Sequence, residues 1–325
     1  DRGSTAAKAG EVLPPGIDRL LSYLGLDEKR LRLTRNEQHR TLSAWGSDRL
    51  QERPHLYSAT GSGWALDRLA FDEALRKEVT ERGIPIHLAN AKKFREAPEG
   101  WQLNGSHRDS GLAFSLRCRF IIDASGRASR FARKFSGSER VDDQLVANWR
   151  LFVSDPAKKS LLPATTLIEA AEDGWWYAAD LPDRTLATAF FTTPDILKQL
   201  NAKESVSWMT ALKKTRHMRE RLQSLHPLDH PSIFLAQASC LHQSHGSKWA
   251  ACGDAAFTAD PLSSIGISMA LLTVPTARKS KGNLTNIGNN GQPSTSRKPV
   301  GRPALFGSAG IRLSIRLIIC MRPDI

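Results

Sequence analysis

The sequence predicts an α/β fold that is interrupted by an antiparallel sheet, and three observations support this. Two short apolar runs, at residues 119–123 and 249–252, are typical of buried strands, and each is followed by a glycine-containing turn. Between residues 146 and 192, strand-like segments alternate with short polar turns, which is typical of an antiparallel sheet. The middle of the chain therefore differs in architecture from the parts on either side.

Composition sets the broad class. The chain has 325 residues with an apolar share of 40%, enough for one large or two medium domains. No apolar run reaches the 18 residues that a membrane-spanning helix needs, so no transmembrane segment is predicted. The four cysteines are scattered without C-x-x-C spacing, which favours reduced thiols and a cytoplasmic protein.

The net charge of +13 is unevenly placed. From Thr273 to Ile325 there are nine Lys or Arg residues and one acidic residue, so the rest of the chain is only mildly basic. Because no basic stripe with interleaved aromatic residues is present, nucleic-acid binding is not predicted. The chain begins at Asp1 without Met or a signal-peptide pattern, and we expect it to be the inner part of a longer protein.

Two helices are predicted in the first hundred residues. After the segment Gly10–Gly16 (G-E-V-L-P-P-G), a helix from Ile17 to Leu24 is expected to stop at Gly25. A second helix is expected from about Leu69 to Arg82, with Gly83 as its end. Strand candidates follow at Ile84–Leu88, Phe94–Arg95, Trp101–Leu103 and Leu112–Leu116.

A buried strand, Arg119–Asp123, then opens into A-S-G-R-A-S. Gly126 permits a tight turn, and Ser125 and Arg127 supply donors suited to anionic oxygens. Without further context, this pattern is also typical of an ordinary strand–turn–helix connection in which a Ser caps the helix.

The antiparallel sheet is predicted from four segments: Val146–Val153, Thr165–Ala170, Trp175–Ala179 and Thr185–Thr192. A single amphipathic helix is expected over Glu204–Leu225, and Ile233–Ala236 returns towards the sheet. At least one of Trp175 and Trp176 is expected in the sheet core, while the other lines an aromatic substrate pocket.

The stretch from Trp249 to Leu272 contains the most informative pattern in the sequence. Gly253 permits close backbone approach, and Asp254 offers a carboxylate to hydroxyl groups. A Ser-rich turn follows Pro261, and an apolar helix begins at about Ile267, directly after Gly266. The N-terminus of such a helix favours negative charge.

Cys240, His242 and His245 lack a fourth partner of suitable spacing, so no metal site is predicted.

This stretch, G-D-A-A-x-x-x-x-P-x-x-x-x-G, resembles the second flavin-binding motif of FAD-dependent monooxygenases of the aromatic-hydroxylase and flavin-halogenase superfamily. The resemblance implies a glutathione-reductase-like, three-layer FAD-binding domain, with the inserted sheet roofing the flavin ring. It implies that Asp254 holds the ribityl chain. The loop Pro261–Gly266 would lie against the isoalloxazine ring, and the helix from Ile267 would point its N-terminus at the ring's pyrimidine edge.

The resemblance extends to two other places. D-A-S-G-R-A-S is similar to the family's middle motif, which implies contacts of Asp123, Gly126 and Arg127 with the cofactor phosphates. An Arg at the start of the second helix implies that Arg68 helps to hold FAD; the alternative is a surface Arg paired with Asp72. The family's first unit, with its GxGxxG, is absent from the sequence, so we expect an incomplete FAD-binding domain.

The domain boundaries follow from these assignments. Residues 1–140 and 236–272 are expected to form parts of the FAD-binding domain, with residues 141–235 as the substrate sheet and its helix. Residues 273–325 form a basic tail of disorder-like composition, which we expect to be disordered or the product of a frameshift.

The resemblance implies an FAD-dependent oxidoreductase of the monooxygenase type. It would oxygenate an electron-rich aromatic small molecule or peptide through a flavin hydroperoxide. Electrons would come from NAD(P)H or a separate flavin reductase. No side chain stands out as an acid, base or nucleophile, consistent with chemistry carried by the cofactor.

The segment G-W-W-Y-A-A-D-L-P departs from the W-x-W-x-I-P box of flavin halogenases, which argues against halogenation. It is closer to the monooxygenase-like maturases of amine oxidases that bear a tryptophan-derived quinone. Four alternatives remain open: a non-catalytic remnant, a halogenase, a flavin reductase of the same superfamily, and a basic protein that acts through its tail.

Overall fold

The computed structural model describes residues 11–273, apart from residues 27, 33, 56–60, 155–162, 202–204 and 229. The polar N-terminal stretch and the basic tail after Thr273 lie outside the described residues. Within the described ranges, no helix combines the length and apolar character needed to cross a membrane.

The strands, in chain order, are β1 (Val12–Leu13), β2 (Arg35–Gln38), β3 (Arg40–Ala44), β4 (Gln51–Pro54), β5 (Gly63–Leu66), β6 (Ala89–Ala97), β7 (Gly100–His107), β8 (Ala113–Cys118), β9 (Ile121–Asp123), β10 (Glu139–Val141), β11 (Val146–Ser154), β12 (Thr165–Ala171), β13 (Gly174–Asp180), β14 (Thr185–Thr192), β15 (Leu225–Pro227), β16 (Ser232–Leu235), β17 (Ser239–Leu241), β18 (His245–Gly246), β19 (Trp249–Ala251) and β20 (Phe257–Thr258). The α-helices are α1 (Ile17–Tyr23), α2 (Glu28–Arg32), α3 (Arg68–Glu81), α4 (Pro194–Gln199), α5 (Ser205–Lys213), α6 (His217–Leu222) and α7 (266–273).

The predicted antiparallel sheet is confirmed. Its four segments are β11, β14, β13 and β12, in that spatial order, and each neighbouring pair is antiparallel. Two additions were not predicted: β3 pairs in parallel with β12, and β4 continues the sheet beyond β3. At the other edge, β15 and β16 both pair with β11, so residues 232–235 return to the sheet as predicted.

Successive side chains of these strands point to opposite faces, so the sheet has two different sides. One side packs against α5 and α6 through a core that includes Phe152, Trp176, Phe190, Trp208 and Met218. The other side, which we call the open face only because α5 and α6 do not cover it, carries a second buried cluster of Trp149, Trp175, Ala187, Ala189 and Phe191.

A second part of the molecule is built around two parallel strands. β19 pairs with β9, and β18 lies on the other side of β19. β6, β7 and β8 form an antiparallel meander that packs here through Trp101 and Leu103. Phe131 lies at the centre, with its ring 4.8 Å from that of Trp101 and 5.1 Å from that of Phe94, both edge-on.

The two early helices are confirmed as α1 and α3, whereas the strand at Ile84–Leu88 is not. Gly83 has φ of +70° and ends α3, and the Ile84 N–H donates to the Val79 carbonyl oxygen. Ile84 therefore belongs to the helix terminus, and the strand starts only at Ala89.

β1, β5 and β2 form a small antiparallel sheet beside α1, α2 and α3. Its core includes Leu13, Leu21, Leu66 and Phe71, and Ile267 of α7 packs against it. Asp67 begins α3 by accepting a hydrogen bond from the Ala70 N–H at 3.0 Å.

The prediction of one continuous helix over Glu204–Leu225 is wrong, because the segment forms α5 and α6. Glu169, a sheet residue that is 5% exposed, accepts hydrogen bonds from the N–H groups of Arg216, His217 and Met218 at 2.7, 3.2 and 2.6 Å. These N–H groups open a new helix, so a distant carboxylate supplies the cap that divides the segment.

This cap predicts a stability effect. Replacing Glu169 with Ala leaves three N–H groups of α6 without their acceptor, so we expect a loss of about 2–3 kcal/mol of unfolding free energy. Urea denaturation followed by circular dichroism would measure it. Glu172→Ala is the matched control, because Glu172 is exposed, and it should change stability by less than about 0.5 kcal/mol. Equal effects of the two variants would contradict the capping role.

Candidate cofactor site at the ends of two parallel strands

The parallel pairing of β9 and β19 brings their carboxyl ends together. The pairing continues past the strands, because the Cys252 N–H donates to the Asp123 carbonyl oxygen at 2.9 Å. Each strand is followed by a short 3-10 turn that starts at a glycine in the left-handed region, Gly126 at φ +69° and Gly253 at φ +56°. The Ser129 hydroxyl donates to the Ala255 carbonyl oxygen at 2.7 Å and ties the two turns together.

Asp123 shapes the first of these turns. Its side chain is fully buried and accepts from the N–H groups of Ser125, Phe131 and Ala132 at 2.9, 3.0 and 2.7 Å. The expectation that its carboxylate contacts a cofactor therefore needs correction, because these backbone donors occupy both oxygens. Asp123 acts on the conformation of the loop that carries Gly126 and Arg127.

Arg127 and Asp254 face each other across the paired turns. The distance from Nε of Arg127 to Oδ2 of Asp254 is 3.9 Å, and Nη1 of Arg127 donates to the Gln237 carbonyl oxygen at 2.6 Å. Among the described residues, the Asp254 carboxylate receives no hydrogen bond. It is 40% exposed, so its oxygens remain able to accept hydrogen bonds from hydroxyl groups of a ligand.

Burial dominates the electrostatics of this pair. It raises the pKa of Asp254, while the nearby positive charges of Arg127 and Arg68 act in the opposite direction. Burial also lowers the pKa of Arg127, while the negative charges of Asp254 and Asp143 act to raise it. Both ions are therefore held in a partly desolvated place where their mutual attraction does not fully offset the loss of water.

Arg68 combines the two roles considered from the sequence. It is the first residue of α3, and its Nη2 lies 3.4 Å from Oδ1 of Asp72 one turn later. It also lies close enough to Asp254 to lower the pKa of that carboxyl. The ion pair with Asp72 is thus present without removing Arg68 from the site.

α7 lies directly over the second turn. The Gly253 N–H donates to Oγ1 of Thr273 at 2.8 Å, and a Cβ at Gly253 would lie only 3.0 Å from the Cβ of Ala270. This close approach is the reason that the position requires glycine.

The loop before α7 is held by Asp260, whose Oδ1 accepts from the Leu262 N–H at 2.8 Å in the turn that starts at Pro261. At Gly266 the first turn of α7 is open, because a Cβ there would meet no atom within 4 Å. Ile267 follows and anchors the helix on the core around Phe71.

Of the two tryptophans predicted for a pocket, Trp176 lies in the core between the sheet and α5–α6, where it is 1% exposed. Trp175 lies on the open face, with its ring stacked 3.9 Å from that of Phe191 and 6.4 Å from that of the half-exposed Trp45. This division leaves Trp175 as the pocket candidate.

Glu11 was not predicted from the sequence. Its side chain is 3% exposed, and its Oε1 accepts from Nε1 of Trp149 at 2.8 Å on the open face. The Glu11 carbonyl oxygen also accepts from the Leu66 N–H, two residues before Arg68. The signal was present, because a lone acidic residue stood in the G-E-V-L-P-P segment next to an apolar pair.

Comparison with known proteins gives a consistent result. The tryptophan halogenase family matches residues 34–276, more than half of the chain. LodB of Marinomonas mediterranea, which is named as an FAD-dependent oxidoreductase, is 28% identical over 276 residues, covering 83% of this chain and 73% of LodB.

Among solved structures, the flavin-dependent halogenase CmlS has a TM-score of 0.75 at 23% identity, covering 86% of this chain and 52% of CmlS. QhpG, a peptidyl tryptophan dihydroxylase, has a TM-score of 0.60 at 20% identity, covering 88% and 60%. The chain thus spans about half the length of CmlS. These two likenesses show the fold, and they confirm the fold class that the sequence resemblance implied.

The raised pKa of Asp254 predicts a pH-dependent stability difference. An ionised Asp254 lowers the stability of the folded chain above its raised pKa, and this effect disappears as the pH falls below the ordinary value of 3.8. Asp254→Asn should therefore melt at a higher temperature than the unchanged chain at pH 7, and the difference should shrink towards pH 3.8. The exposed Asp109→Asn is the control. A lower melting temperature for Asp254→Asn at pH 7 would contradict this account.

Proposed function

The chain belongs to the tryptophan halogenase family, and from that premise we propose that it is an FAD-dependent, monooxygenase-like oxidoreductase acting on an electron-rich aromatic substrate. The family match confirms the resemblance on which the expectation of FAD rested. The observation that carries the proposal is the Asp254 carboxylate, free to accept hydrogen bonds beside Arg127 and under α7.

The donors and acceptors present fit one part of FAD. A carboxylate with unused oxygens suits the hydroxyl groups of the ribityl chain, and the guanidinium groups of Arg127 and Arg68 suit phosphate oxygens. The turn at Gly126 is open, since a Cβ there would meet no atom within 4 Å, so a ligand can approach its backbone. The GxGxxG segment that would cradle the pyrophosphate does not occur in this sequence.

Each residue then has a role in binding. Asp254 accepts from the ribityl hydroxyls, while Pro261, Gly266 and Ile267 place the first turn of α7 beside the ring. The positive end of a helix dipole lowers the free energy of negative charge at that position. Bound FAD supplies the redox chemistry. Gly126 lets the backbone approach the cofactor, Gly253 lets α7 pack onto the turn that carries Asp254, and the open face of the sheet, with Trp175, excludes water from the aromatic substrate.

In this proposal, residues 11–140 and 236–272 hold the cofactor, and residues 141–235 hold the substrate. Oxygenation is favoured over halogenation because G-W-W-Y-A-A-D-L-P departs from the halogenase box. QhpG, which shares the fold, is named for dihydroxylation of a peptidyl tryptophan, and this supports an aromatic group in a small molecule or a peptide as the substrate. NAD(P)H or a separate flavin reductase would supply the electrons.

Cofactor binding gives the first test. Purified chain mixed with FAD and freed of unbound flavin should absorb near 450 nm. Asp254→Asn should weaken FAD binding by about 10- to 100-fold, because it removes a charged hydrogen-bond acceptor. The Asp109→Asn control should bind FAD as the unchanged chain does. A colourless preparation that takes up no flavin would contradict the proposal and favour a non-catalytic relative.

The product gives the second test. With FAD, a reductant, dioxygen and bromide present together, an indole probe should gain one oxygen atom and no bromine, as measured by mass spectrometry. The physical basis is the altered aromatic box at Trp175. Reactions without the chain or with boiled chain control for oxidation by free reduced flavin. Bromoindole as the main product would contradict oxygenation.

A further inference from the structure

The outer face of the β6–β8 meander carries cations and no carboxylate. The inner face packs on the β9–β19 layer through Trp101 and Leu103, and alternate residues of each strand point away from it. The one acidic residue within these three strands, Glu96, lies opposite Trp101 on the inner side, and its Oε1 is 3.9 Å from Nζ of Lys248. The outward cations are Lys92, Lys93, Arg95 and Arg117. Among the described residues none of these four is in an ion pair, so the fold does not offset their charge.

A β-bulge places two lysines side by side on this face. The register of β6 against β7 shifts between Ala91 and Lys93, so Lys92 lies opposite no residue of β7. Lys92 and Lys93 are both exposed, whereas successive residues of a regular strand point to opposite faces. Gly105 lies opposite Ala91, and a Cβ there would overlap the Asn90 carbonyl oxygen, so the close approach of the two strands requires glycine. Bulges commonly re-aim a side chain next to a functional site.

Beside the bulge lies a surface groove of about 260 Å³. Its lining residues are Lys92, Lys93, Asn104, Gly105 and Ser106. They supply two ammonium groups, an amide and a hydroxyl, and none of these four side chains has a hydrogen-bond partner in the described part of the chain. The groove therefore presents unused hydrogen-bond donors next to positive charge that no carboxylate offsets.

We propose that this groove binds the phosphate group of a small molecule, at a site that is separate from the proposed cofactor site. A phosphate monoester carries a charge of about −1.5 to −2 at pH 7 and three strong acceptor oxygens. The ammonium groups of Lys92 and Lys93 offset that charge, and the Asn104 amide and the Ser106 hydroxyl donate to the oxygens that remain. Small-molecule sites have volumes of about 300–1,000 Å³, and the groove is near the lower end of that range, so it suits a compact ligand.

The size and composition of the outer face favour a small anion over a macromolecule. Three strands about 4.8 Å apart, with about six residues each at about 3.4 Å, give a face of roughly 300 Å². A stable protein interface buries about 800 Å² on each partner, which is more than this face offers. The outward residues of these three described strands include no aromatic side chain to stack on nucleic-acid bases and no large apolar side chain to enter a membrane.

Phosphorus NMR measures this binding, because the signal of a small phosphate broadens when it binds a protein. Glycerol phosphate and inorganic phosphate are the probes, and the comparison between them shows whether an esterified or a free phosphate is preferred. Both signals should broaden as the chain is added. Glycerol should not compete, and acetate, with a single charge, should compete at least about tenfold more weakly than inorganic phosphate. No broadening of either signal with the probe at about 1 mM, or equal competition by acetate, would overturn the proposal.

Two double variants that are matched in charge locate the effect. Lys92→Gln with Lys93→Gln removes two charges from the groove and should weaken binding of both phosphate probes by about tenfold or more. Lys213→Gln with Lys214→Gln removes two charges from consecutive exposed lysines at the end of α5, and it should bind both probes as the unchanged chain does. Equal losses in the two double variants, or no loss in the first, would contradict the proposal.

FAD uptake separates this site from the proposed function. The groove shares no residue with the proposed cofactor site, so both double variants should take up FAD as the unchanged chain does. Failure of the unchanged chain to take up FAD would count against the proposed function, while phosphate binding in the groove would still be measured independently.

A labelling experiment identifies the residues that meet the phosphate. Pyridoxal phosphate carries an aldehyde as well as a phosphate, and the aldehyde condenses with a lysine amine with loss of water. Added borohydride then reduces the imine to a stable secondary amine. Mass spectrometry of peptides should find the label mainly on Lys92 or Lys93, and inorganic phosphate should protect both residues, whereas acetate should not. Label spread evenly over the exposed lysines, or label on these two that phosphate does not reduce, would overturn the proposal.

Discussion

The parallel pairing of β9 with β19 is the constraint on which the proposed cofactor site depends. Its three residue pairs, from Ile121–Trp249 to Asp123–Ala251, place two strand ends side by side, and the turns after them inherit that spacing. Without this register Arg127 and Asp254, which are far apart in the sequence, would not face each other. Parallel strands in open sheets commonly bind ligands beyond their carboxyl ends, because the loops there converge and the next helix starts there. Here α7 completes the arrangement by packing onto Gly253.

The eight-stranded sheet buries a different apolar cluster on each of its two faces. On the face covered by α5 and α6, the buried Glu169 is satisfied by three backbone N–H groups, so its charge serves the fold. On the open face, the buried Glu11 accepts a hydrogen bond from the indole N–H of Trp149. A buried carboxylate that accepts from three helix N–H groups has little capacity left for a ligand, whereas one bonded to an indole N–H fixes the orientation of that ring. The sheet thus has a packed apolar cluster on each side, and each cluster contains one buried carboxylate that is hydrogen-bonded.

The local sequence pattern predicted the structure correctly for segments whose structure depends on residues nearby in the chain. β12, β13 and β14 were predicted because their apolar residues are buried by hairpin partners close in sequence. β11 was predicted from its own apolar pattern, although its partner β14 follows two intervening strands. β3 was missed because it pairs with β12, more than a hundred residues later, and its own residues are mainly polar. The helix predicted from Glu204 was divided for a similar reason, since the cap comes from Glu169 on another element. Periodicity reports the face that a segment buries, and it does not report a hydrogen bond from a distant residue.

The sequence by itself determined the α/β class, the antiparallel sheet, the glycine turns and the residue types of the proposed cofactor site, because glycine spacing and strand patterns are local properties. It also predicted that Asp254 and the helix after Gly266 act together. Only the tertiary structure decided which groups are available. In the folded chain the Asp123 oxygens accept from backbone N–H groups, Trp176 lies in the core against α5 and α6, Trp175 lies on the open face, and Glu11 is hydrogen-bonded to Trp149. Availability depends on which neighbours bury a group or occupy its hydrogen bonds, and those neighbours are set by contacts between segments that are distant in the chain.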